Sequence, residues 1–502
     1  MVDALTSKTR ITETLKFASK GTIWLFVVGL LFKPAITAQP AGDDLINPFY
    51  MFFDTNGSFV ETFKLGIEYG TSHKFDVVGQ IAFVIHSWLW IQFDYFTGLD
   101  HIWFYALSKG LIFAVVLLSA TYWIQQIIRT LRLQISNWKL LFLVTAISGS
   151  TVQMHNIWSN DPVANYPMSG YASAVFSFVV LGLLVRHKDS QSLKTMFLVS
   201  IWVSVAILYY QINISLLPAV FIFWFANSWL DLKSKNPLKP FMRGTALFLL
   251  PVVVVLYGTF LTSGKTSDYG GTTIGNWSTF PKTTAIGILG TLPGGGWNLS
   301  EKSIGAILFP GWTTALVGLI LLWILMSYVP RGATDKSNSL DLKEVLKILL
   351  PGVAFWLSVV SIQTMTSKYQ NEIVSVGQIY NFYSHGHIFI AGVVLIVLLG
   401  LSRISNRWTT VAVCIIAFFG ATQFQINSQL KTVMRDGNIQ SLRLLGTFDV
   451  SSSDKSRCEA WNNWASIGWP EYYEQGMAVG YQQAFKTLYG EEFCSSGADP
   501  IP

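Results

Sequence analysis

The chain consists largely of long apolar runs with almost no charge between their ends. Hydrophobic residues make up 51% of the sequence and charged residues 12%, whereas a soluble domain has about 25% charged residues. A helix needs roughly 20 apolar residues to cross a bilayer core about 30 Å thick. The sequence therefore predicts an all-α, polytopic integral membrane protein with about 11 transmembrane helices. The runs are Thr22–Ala38, Gly110–Ile128, Leu140–Ile157, Ala172–Val185, Thr195–Tyr210, Ser215–Leu230, Thr245–Leu261, Gly305–Tyr328, Val345–Ile362, His387–Leu401 and Thr410–Phe424.

The placement of Lys and Arg predicts the orientation of these helices. If the N-terminus is cytoplasmic, most basic residues fall on the cytoplasmic side, as Lys8 and Arg10 do, although the opposite loops are longer. The positive-inside rule then predicts a multi-pass protein of the cytoplasmic (inner) membrane with an extracytoplasmic C-terminus. Most of the formal net charge of +6 comes from Lys and Arg residues on the predicted cytoplasmic side, so it reflects the topology. No basic patch interleaved with aromatic residues indicates a nucleic-acid partner.

The outer segments predict the domain organisation. Residues 1–425 would form the transmembrane domain, and residues 426–502 an extracytoplasmic C-terminal domain. The first outer loop, 39–101, contains aromatic stretches broken by charges, which is typical of interfacial helices, with a further span at Val77–Trp90 as the alternative. The second outer loop, 263–303, is rich in Gly, Thr and Ser and is expected to be irregular.

The three cysteines agree with this topology. Cys414 lies within an apolar run, whereas Cys458 and Cys494 lie in the C-terminal segment. An oxidising compartment permits Cys458 and Cys494 to form a disulfide, which would stabilise that segment by roughly 3–4 kcal/mol. The alternative is two free thiols.

An acidic pair, Asp43 and Asp44, follows the first apolar run in the sequence QPAGDDLINPF. Two neighbouring carboxylates at the edge of a bilayer are costly unless a proton, a cation or a substrate compensates them. One carboxylate can accept a proton from a sugar hydroxyl while the other binds a cation or fixes the geometry. The alternative is a solvated helix cap, since Asp is a favourable N-cap residue.

A further acidic residue, Asp161, follows the third apolar run in the sequence IWSNDPVANYP. If it shares a cavity with Asp44, the two could ligate a divalent cation such as Mg²⁺ or Mn²⁺, which prefers hard oxygen ligands. The alternative is a local Asp-Pro turn.

Five other residues on the predicted outer side are candidates for substrate binding. A lysine there can bind a lipid-linked phosphate, and aromatic, imidazole or amide groups can contact a sugar. The alternatives are snorkelling lysines, interfacial packing of the histidine and a polar hinge. The residues are Lys368 and Tyr369 in TSKYQNE, His385 in YNFYSHGH, Lys109 near the start of the second run, and Gln211 in YYQINIS.

At these motifs the chain resembles the GT-C superfamily of polytopic glycosyltransferases. Those enzymes have a cytoplasmic N-terminus, a long first outer loop that opens with an acidic pair, interfacial helices, and another acidic residue in the next outer loop. The corresponding residues here are Asp43, Asp44 and Asp161, with KFDVVGQIAFVIHSWLWIQF as the interfacial helices. The YYQ motif and the chain length are most similar to the serotype-converting O-antigen glucosyltransferases. One departure is that the basic residue that commonly opens the second span lies deeper here, as Lys109.

The resemblance implies a donor of polyprenyl-phosphate sugar, with glucose as the expected sugar. The acceptor would be a hydroxyl of a surface glycan or glycolipid such as O-antigen, and the transfer would invert the anomeric carbon. By motif position Asp43 would be the general base and Asp44 its partner or a cation ligand, with the reverse assignment as the alternative. Asp161 would be supporting, and Lys368 a phosphate anchor.

Two other classes remain open, namely a transporter or flippase of lipid-linked sugars and a polymerase of them. A transporter would place ionisable residues near the midplane in broken helices. No Walker loop, nucleophile elbow or HExxH motif is present, so ATP-driven transport is poorly supported.

Overall fold

The protein is all-helical. The computed structural model describes residues 2–41, 43–72, 75–155, 161–165, 167–188, 192–231, 238–262, 273–295, 311–330, 342–376, 378, 382–467 and 471–495. These residues contain no β-strand, and one isolated bridge pairs Ile274 with Thr366. Of the Gly-rich second outer loop, 263–303, the structure describes residues 273–295, and these contain the helix Phe280–Thr291, so the expectation of an irregular loop was wrong for this part.

The helices of the first half of the chain include those of residues 39–101, which the sequence predicted as the first outer loop. α3, α4 and α5 lie within this loop, where the sequence predicted helices. Their bounds are α1 Val2–Leu31, α2 Lys33–Ile36, α3 Asp43–Asp54, α4 Phe59–Ser72, α5 Val77–Thr97, α6 His101–Thr130, α7 Asn137–Thr151, α8 Tyr171–Arg186, α9 Leu193–Tyr209, a 3₁₀ turn Gln211–Ser215, α10 Leu216–Asp231 and α11 Leu238–Thr262.

The helices of the second half include the longest in the chain and the C-terminal helices. Their bounds are α12 Phe280–Thr291, α13 Trp312–Tyr328, α14 Leu342–Thr364, α15 Ser367–Glu372, α16 Phe382–Ile404, α17 Asn406–Gly437, α18 Ile439–Gly446, α19 Asp454–Ala465 and α20 Glu471–Tyr489.

Each apolar run coincides with a helix in the part of the chain that the structure describes, but the helices differ in length. Five are long and apolar enough to cross a membrane, which supports an integral membrane protein. They are Thr14–Leu31, His101–Thr130, Pro240–Leu261, Phe382–Ile404 and Asn406–Gly437. Other apolar helices are shorter: Leu193–Tyr209 has 17 residues, which at 1.5 Å per residue span about 26 Å.

Small residues allow the helices of the bundle to pack closely around Trp123 on α6. A Cβ atom at Gly392 on α16 would lie 2.5 Å from the Trp123 ring. A Cβ atom at Gly182 on α8 would lie 2.6 Å from the ring of Tyr122 and 3.3 Å from the backbone of Trp123. Little hydrophobic driving force acts between helices in lipid. Small residues stabilise the helix interfaces there because they allow close van der Waals contact.

The C-terminal helices pack on the first outer loop in a second hydrophobic cluster. On α3 and α5 the cluster includes Phe49 and Trp90, and on the C-terminal segment it includes Trp461, Trp464 and Tyr481. The rings of Phe49 and Tyr481 are 4.6 Å apart between centroids. Trp461 and Trp464 are at most 2% exposed, so their side chains pack in the interior of the protein.

The C-terminal segment is continuous with the bundle. α17 runs without a break across residues 425 and 426, so the predicted boundary falls inside a helix. Cys458 and Cys494 form a disulfide that closes a loop with a sequence separation of 36 residues. Cys414 is free and exposed. The disulfide therefore joins α19 to the segment that follows α20 and holds them against one another.

Candidate functional site

Asp44 is buried in the first turn of α3. The helix begins at Asp43, where the positive end of its dipole favours acidic side chains. Asp44 is only 6% exposed, which differs from the solvated cap considered from the sequence. The side chain of Asp43 lies outside the described residues, so the role predicted for it stays a prediction.

Tyr105 and Lys109 on α6 lie next to Asp44. They are four residues apart and so lie on the same face of the helix. The Tyr105 hydroxyl donates to Oδ2 of Asp44 and lies 3.2 Å from the Ala164 carbonyl oxygen. The Lys109 ammonium donates to the carbonyl oxygens of Ala38 and Ala164 and lies 4.4 Å from the centroid of the Tyr105 ring.

Lys109 supplies the positive charge that this buried acidic site needs. Its side chain is 1% exposed, and its ammonium interacts electrostatically with both Asp44 and Asp161. A buried charge is tolerated when it is paired and hydrogen-bonded. Lys109 therefore does not snorkel to the bilayer surface, and in this arrangement its ammonium contacts the protein's own carbonyl oxygens.

Asp161 organises its own loop. Its Oδ1 accepts hydrogen bonds from the backbone N–H groups of Val163 (2.9 Å) and Ala164 (2.7 Å), and its Oδ2 accepts one from His155 N. Asp161 is fully buried. This is the local Asp-Pro turn that the sequence left as the alternative. The turn also orients the Ala164 carbonyl toward Tyr105 and Lys109.

A narrow cleft reaches the Asp44 carboxylate. It is lined by Asp44, Pro48, Phe83, His86, Ser87, Trp90, Tyr105, Pro167, Met168 and Ser169. Its cavity volume of about 10 Å³ is room for about one water molecule. The cleft combines a carboxylate, hydroxyl groups and an imidazole with apolar walls, as ligand sites do, but its volume is far below the roughly 300–1,000 Å³ that such sites usually have. Sequence reasoning did not identify His86, Ser87 or Ser169 as candidate site residues.

The YYQ motif supports this cleft through its first tyrosine. The Tyr209 hydroxyl donates to the Met168 carbonyl oxygen at 2.7 Å, and Met168 lines the cleft. Asn213 accepts a hydrogen bond from Ser177 and donates one to Ala206, as expected of a polar hinge. Gln211 is half-buried in the 3₁₀ turn and is not among the residues that line the cleft.

Lys368 and Tyr369 lie in the short helix α15 after α14. The Lys368 ammonium is 3.9 Å from a carboxylate oxygen of Glu372 and 5.7 Å from the centroid of the Tyr369 ring. Burial raises the pKa of Glu372, and the charge of Lys368 opposes that shift. Neither Lys368 nor Tyr369 lines the Asp44 cleft.

His385 and His387 belong to a buried network of polar side chains in the bundle. His385 is hydrogen-bonded to Ser173 (3.0 Å) and Ser384 (3.2 Å). His387 is hydrogen-bonded to Tyr171 (3.1 Å) and to the Ser148 carbonyl oxygen (3.0 Å). His385 is therefore buried and hydrogen-bonded within the bundle, and its substrate-binding role stays a prediction.

The described residues contain no group of three or more His, Cys, Asp or Glu side chains that could hold a metal ion. The predicted cation site at Asp44 and Asp161 stays a prediction. The Asp161 oxygens already accept three backbone hydrogen bonds.

No protein-family model and no curated protein matches the chain.

Proposed function

We propose that the protein is a glycosyltransferase of the GT-C type, which transfers a sugar from a polyprenyl-phosphate donor to a hydroxyl of a surface glycan or glycolipid. The observation that carries the proposal is the position of Asp44. Its carboxylate is buried at the start of α3 and lines a cleft together with Tyr105, Ser87 and Ser169, whose side chains carry hydroxyl groups. A base held in such a place is suited to activating an alcohol.

The proposed reaction is a single inverting displacement. The acceptor oxygen attacks the anomeric carbon, and its proton passes to the Asp44 carboxylate. The bond between the anomeric carbon and the donor phosphate breaks, and polyprenyl phosphate leaves with the electron pair. Tyr105 fixes one carboxylate oxygen of Asp44, and Lys109 offsets the negative charge of the site before the proton arrives.

The proposal includes about 11 spans, a cytoplasmic N-terminus and a site at the outer headgroup level of the inner membrane. A polyprenyl donor is confined there because each CH₂ taken out of the membrane costs about 0.8 kcal/mol. The length of α1 supports this placement, since its apolar segment ends at Leu31 and Asp44 follows about one short loop later. Glucose as the sugar and O-antigen as the acceptor rest on the family resemblance.

The test is transfer of radiolabelled glucose from polyprenyl-phosphate glucose in membranes of a host that carries an O-antigen acceptor. We expect Asp44→Asn to lower the transfer rate by about 10²–10⁴-fold, the usual contribution of a general base. Asp54→Asn is the matched control, because Asp54 lies at the other end of α3. Asp43→Asn shows whether the neighbouring carboxylate contributes.

Wild-type transfer by Asp44→Asn at wild-type protein levels would remove the proposed role of Asp44. Movement of the lipid-linked sugar across vesicles at wild-type rates, without any transfer, would instead indicate a transporter. Extension of the glycan by repeat units would indicate a polymerase.

A further inference from the structure

A second cavity, which we call the basic groove, lies among α2, α13 and α17. Its volume of about 680 Å³ is within the range of small-molecule sites. Three of its lining residues are cations, and the rest are mostly hydroxyl and amide side chains. The lining residues are Lys33, Pro34, Thr37, Gly311, Thr313, Thr314, Phe424, Gln425, Ser428, Gln429, Lys431, Thr432, Val433 and Arg435.

Among the residues that the structure describes, the lining of the basic groove carries three cations and no carboxylate. Lys431 is half-buried, its ammonium donates to Thr37 Oγ1 at 2.6 Å, and it lies within electrostatic range of both Lys33 and Arg435. Arg435 pairs with Asp436 at 2.8 Å, but both side chains are at least 50% exposed, so that pair offsets little of the charge. Like charges held together are unfavourable unless an anion compensates them.

The N-terminus of α13 adds to this positive potential. Gly311 caps the helix, and Thr313 and Thr314 of its first turn line the basic groove. The first backbone N–H groups of a helix are unpaired and carry partial positive charge, which makes them suitable ligands for phosphate. The helix has 17 residues, so its dipole is fully developed.

The basic groove also lies at the ends of membrane-spanning candidates. Lys33 follows the end of α1 at Leu31, and Lys431 lies in the last turns of α17; both helices are long and apolar enough to cross a membrane. Cations just beyond such helix ends meet lipid headgroups. We propose that the basic groove binds a phosphate group, and that a lipid within the membrane carries it. This binding does not depend on the transfer reaction proposed above.

The basic groove and the Asp44 cleft are joined by two consecutive residues. Lys431 donates to the hydroxyl of Thr37, and Lys109 donates to the carbonyl oxygen of Ala38. A phosphate that draws Lys431 toward itself would therefore act on the segment that also holds Lys109. The two sites share this segment and use different cations.

The experiment titrates the purified full-length protein in a non-ionic detergent with three probes: farnesyl phosphate, farnesol and inorganic phosphate. Binding is measured as the ligand-dependent rise in the thermal unfolding midpoint. We expect Lys33→Gln, Lys431→Gln and Arg435→Gln each to weaken farnesyl phosphate binding by about 10-fold, equivalent to about 1.4 kcal/mol. Lys455→Gln is the control, since this side chain is 86% exposed on α19.

Binding of farnesyl phosphate, with neither farnesol nor inorganic phosphate bound, would establish a lipid-borne phosphate as the ligand. Equal binding of farnesyl phosphate and inorganic phosphate would establish a phosphate site but overturn the lipid source. Unchanged binding in all three variants, equal binding of farnesol, or no binding of either phosphate would overturn the proposal. Lys33 is exposed, so Lys33→Gln keeps the test valid if Lys431→Gln does not fold. Asp44→Asn should bind farnesyl phosphate normally, which separates this proposal from the transfer reaction.

Discussion

The phenolic hydroxyl of Tyr105 donates to Oδ2 of Asp44 and so joins α6, a helix long enough to cross a membrane, to the first turn of α3. One turn further along α6, Lys109 reaches the carbonyl oxygens of Ala38 and Ala164. Two neighbouring turns of one helix thus position the carboxylate and balance its charge. The activity of this site should depend on α6 as much as on α3.

Tyr105→Phe removes the hydroxyl that positions Asp44. We expect the free energy of unfolding to fall by about 1–2 kcal/mol, because a buried carboxylate oxygen loses a hydrogen bond. Transfer should fall by about 10-fold, which is less than for Asp44→Asn, because the base itself remains. Thermal unfolding in detergent and the glucose-transfer assay measure the two effects. Tyr95→Phe is the control, since Tyr95 is 54% exposed, and equal behaviour of the two variants would contradict the positioning role.

Lys109→Met keeps the length of the side chain and removes its charge. The expected loss is about 3–5 kcal/mol of unfolding free energy, because buried carboxylates are left without their cation. Adding Asp44→Asn should recover about 0.5–3 kcal/mol of that loss, since the two charges act on one another. Unfolding in mixed micelles measures both values. Strict additivity of the two substitutions would show that they are uncoupled. Lys64→Met should change stability by at most about 0.5 kcal/mol, because Lys64 is 65% exposed.

Gly480→Ala tests the packing of α20 on α3. The added Cβ atom would lie 2.7 Å from the Phe49 carbonyl oxygen, so a backbone must shift, at a cost of about 1–3 kcal/mol. Transfer should fall as well, because α3 carries Asp44. Gly446→Ala is the matched control, since nothing lies within 4 Å of its added Cβ atom and Ala favours a helix by about 1 kcal/mol. A stable and active Gly480→Ala protein would show that α20 does not have to pack tightly there.

Reduction of the Cys458–Cys494 disulfide should loosen the C-terminal helices. A loop closed across 36 residues contributes about 4 kcal/mol by constraining the unfolded chain. We expect faster cleavage of the C-terminal segment by protease under reducing conditions and in Cys458→Ser. Cys414→Ser should leave the cleavage rate unchanged, because Cys414 is a free thiol. Identical cleavage of oxidised and reduced protein would show that packing alone holds the segment.

Much of the helical architecture follows from composition. Runs such as Gly110–Ile128 coincide with helices because a chain this apolar must satisfy its backbone groups internally. The helix bounds were less predictable. α6 begins at His101, more than two turns before the apolar run, and so it includes Lys109, which the sequence placed near the outer end of a span.

The roles of individual polar residues depended on tertiary contacts. Asp161 and Asp44 have the same side chain and comparable sequence contexts. Asp161 accepts three backbone hydrogen bonds within its own loop, whereas Asp44 lines a cleft shared with α5 and α6. Short motifs do not distinguish these cases, because a turn and a ligand site both use carboxylate oxygens.

By itself, the sequence determined that the protein is helical, apolar enough for a membrane, and acidic at the segment after α1. The tertiary structure alone decided that Lys109 balances Asp44, that the C-terminal tryptophans are buried on α3, and that Lys33, Lys431 and Arg435 surround one groove. The physical reason is the distance along the chain over which each interaction acts. Backbone hydrogen bonding and hydropathy act within one helix, whereas charge compensation and packing depend on side chains that are distant in the sequence and meet only in the folded chain.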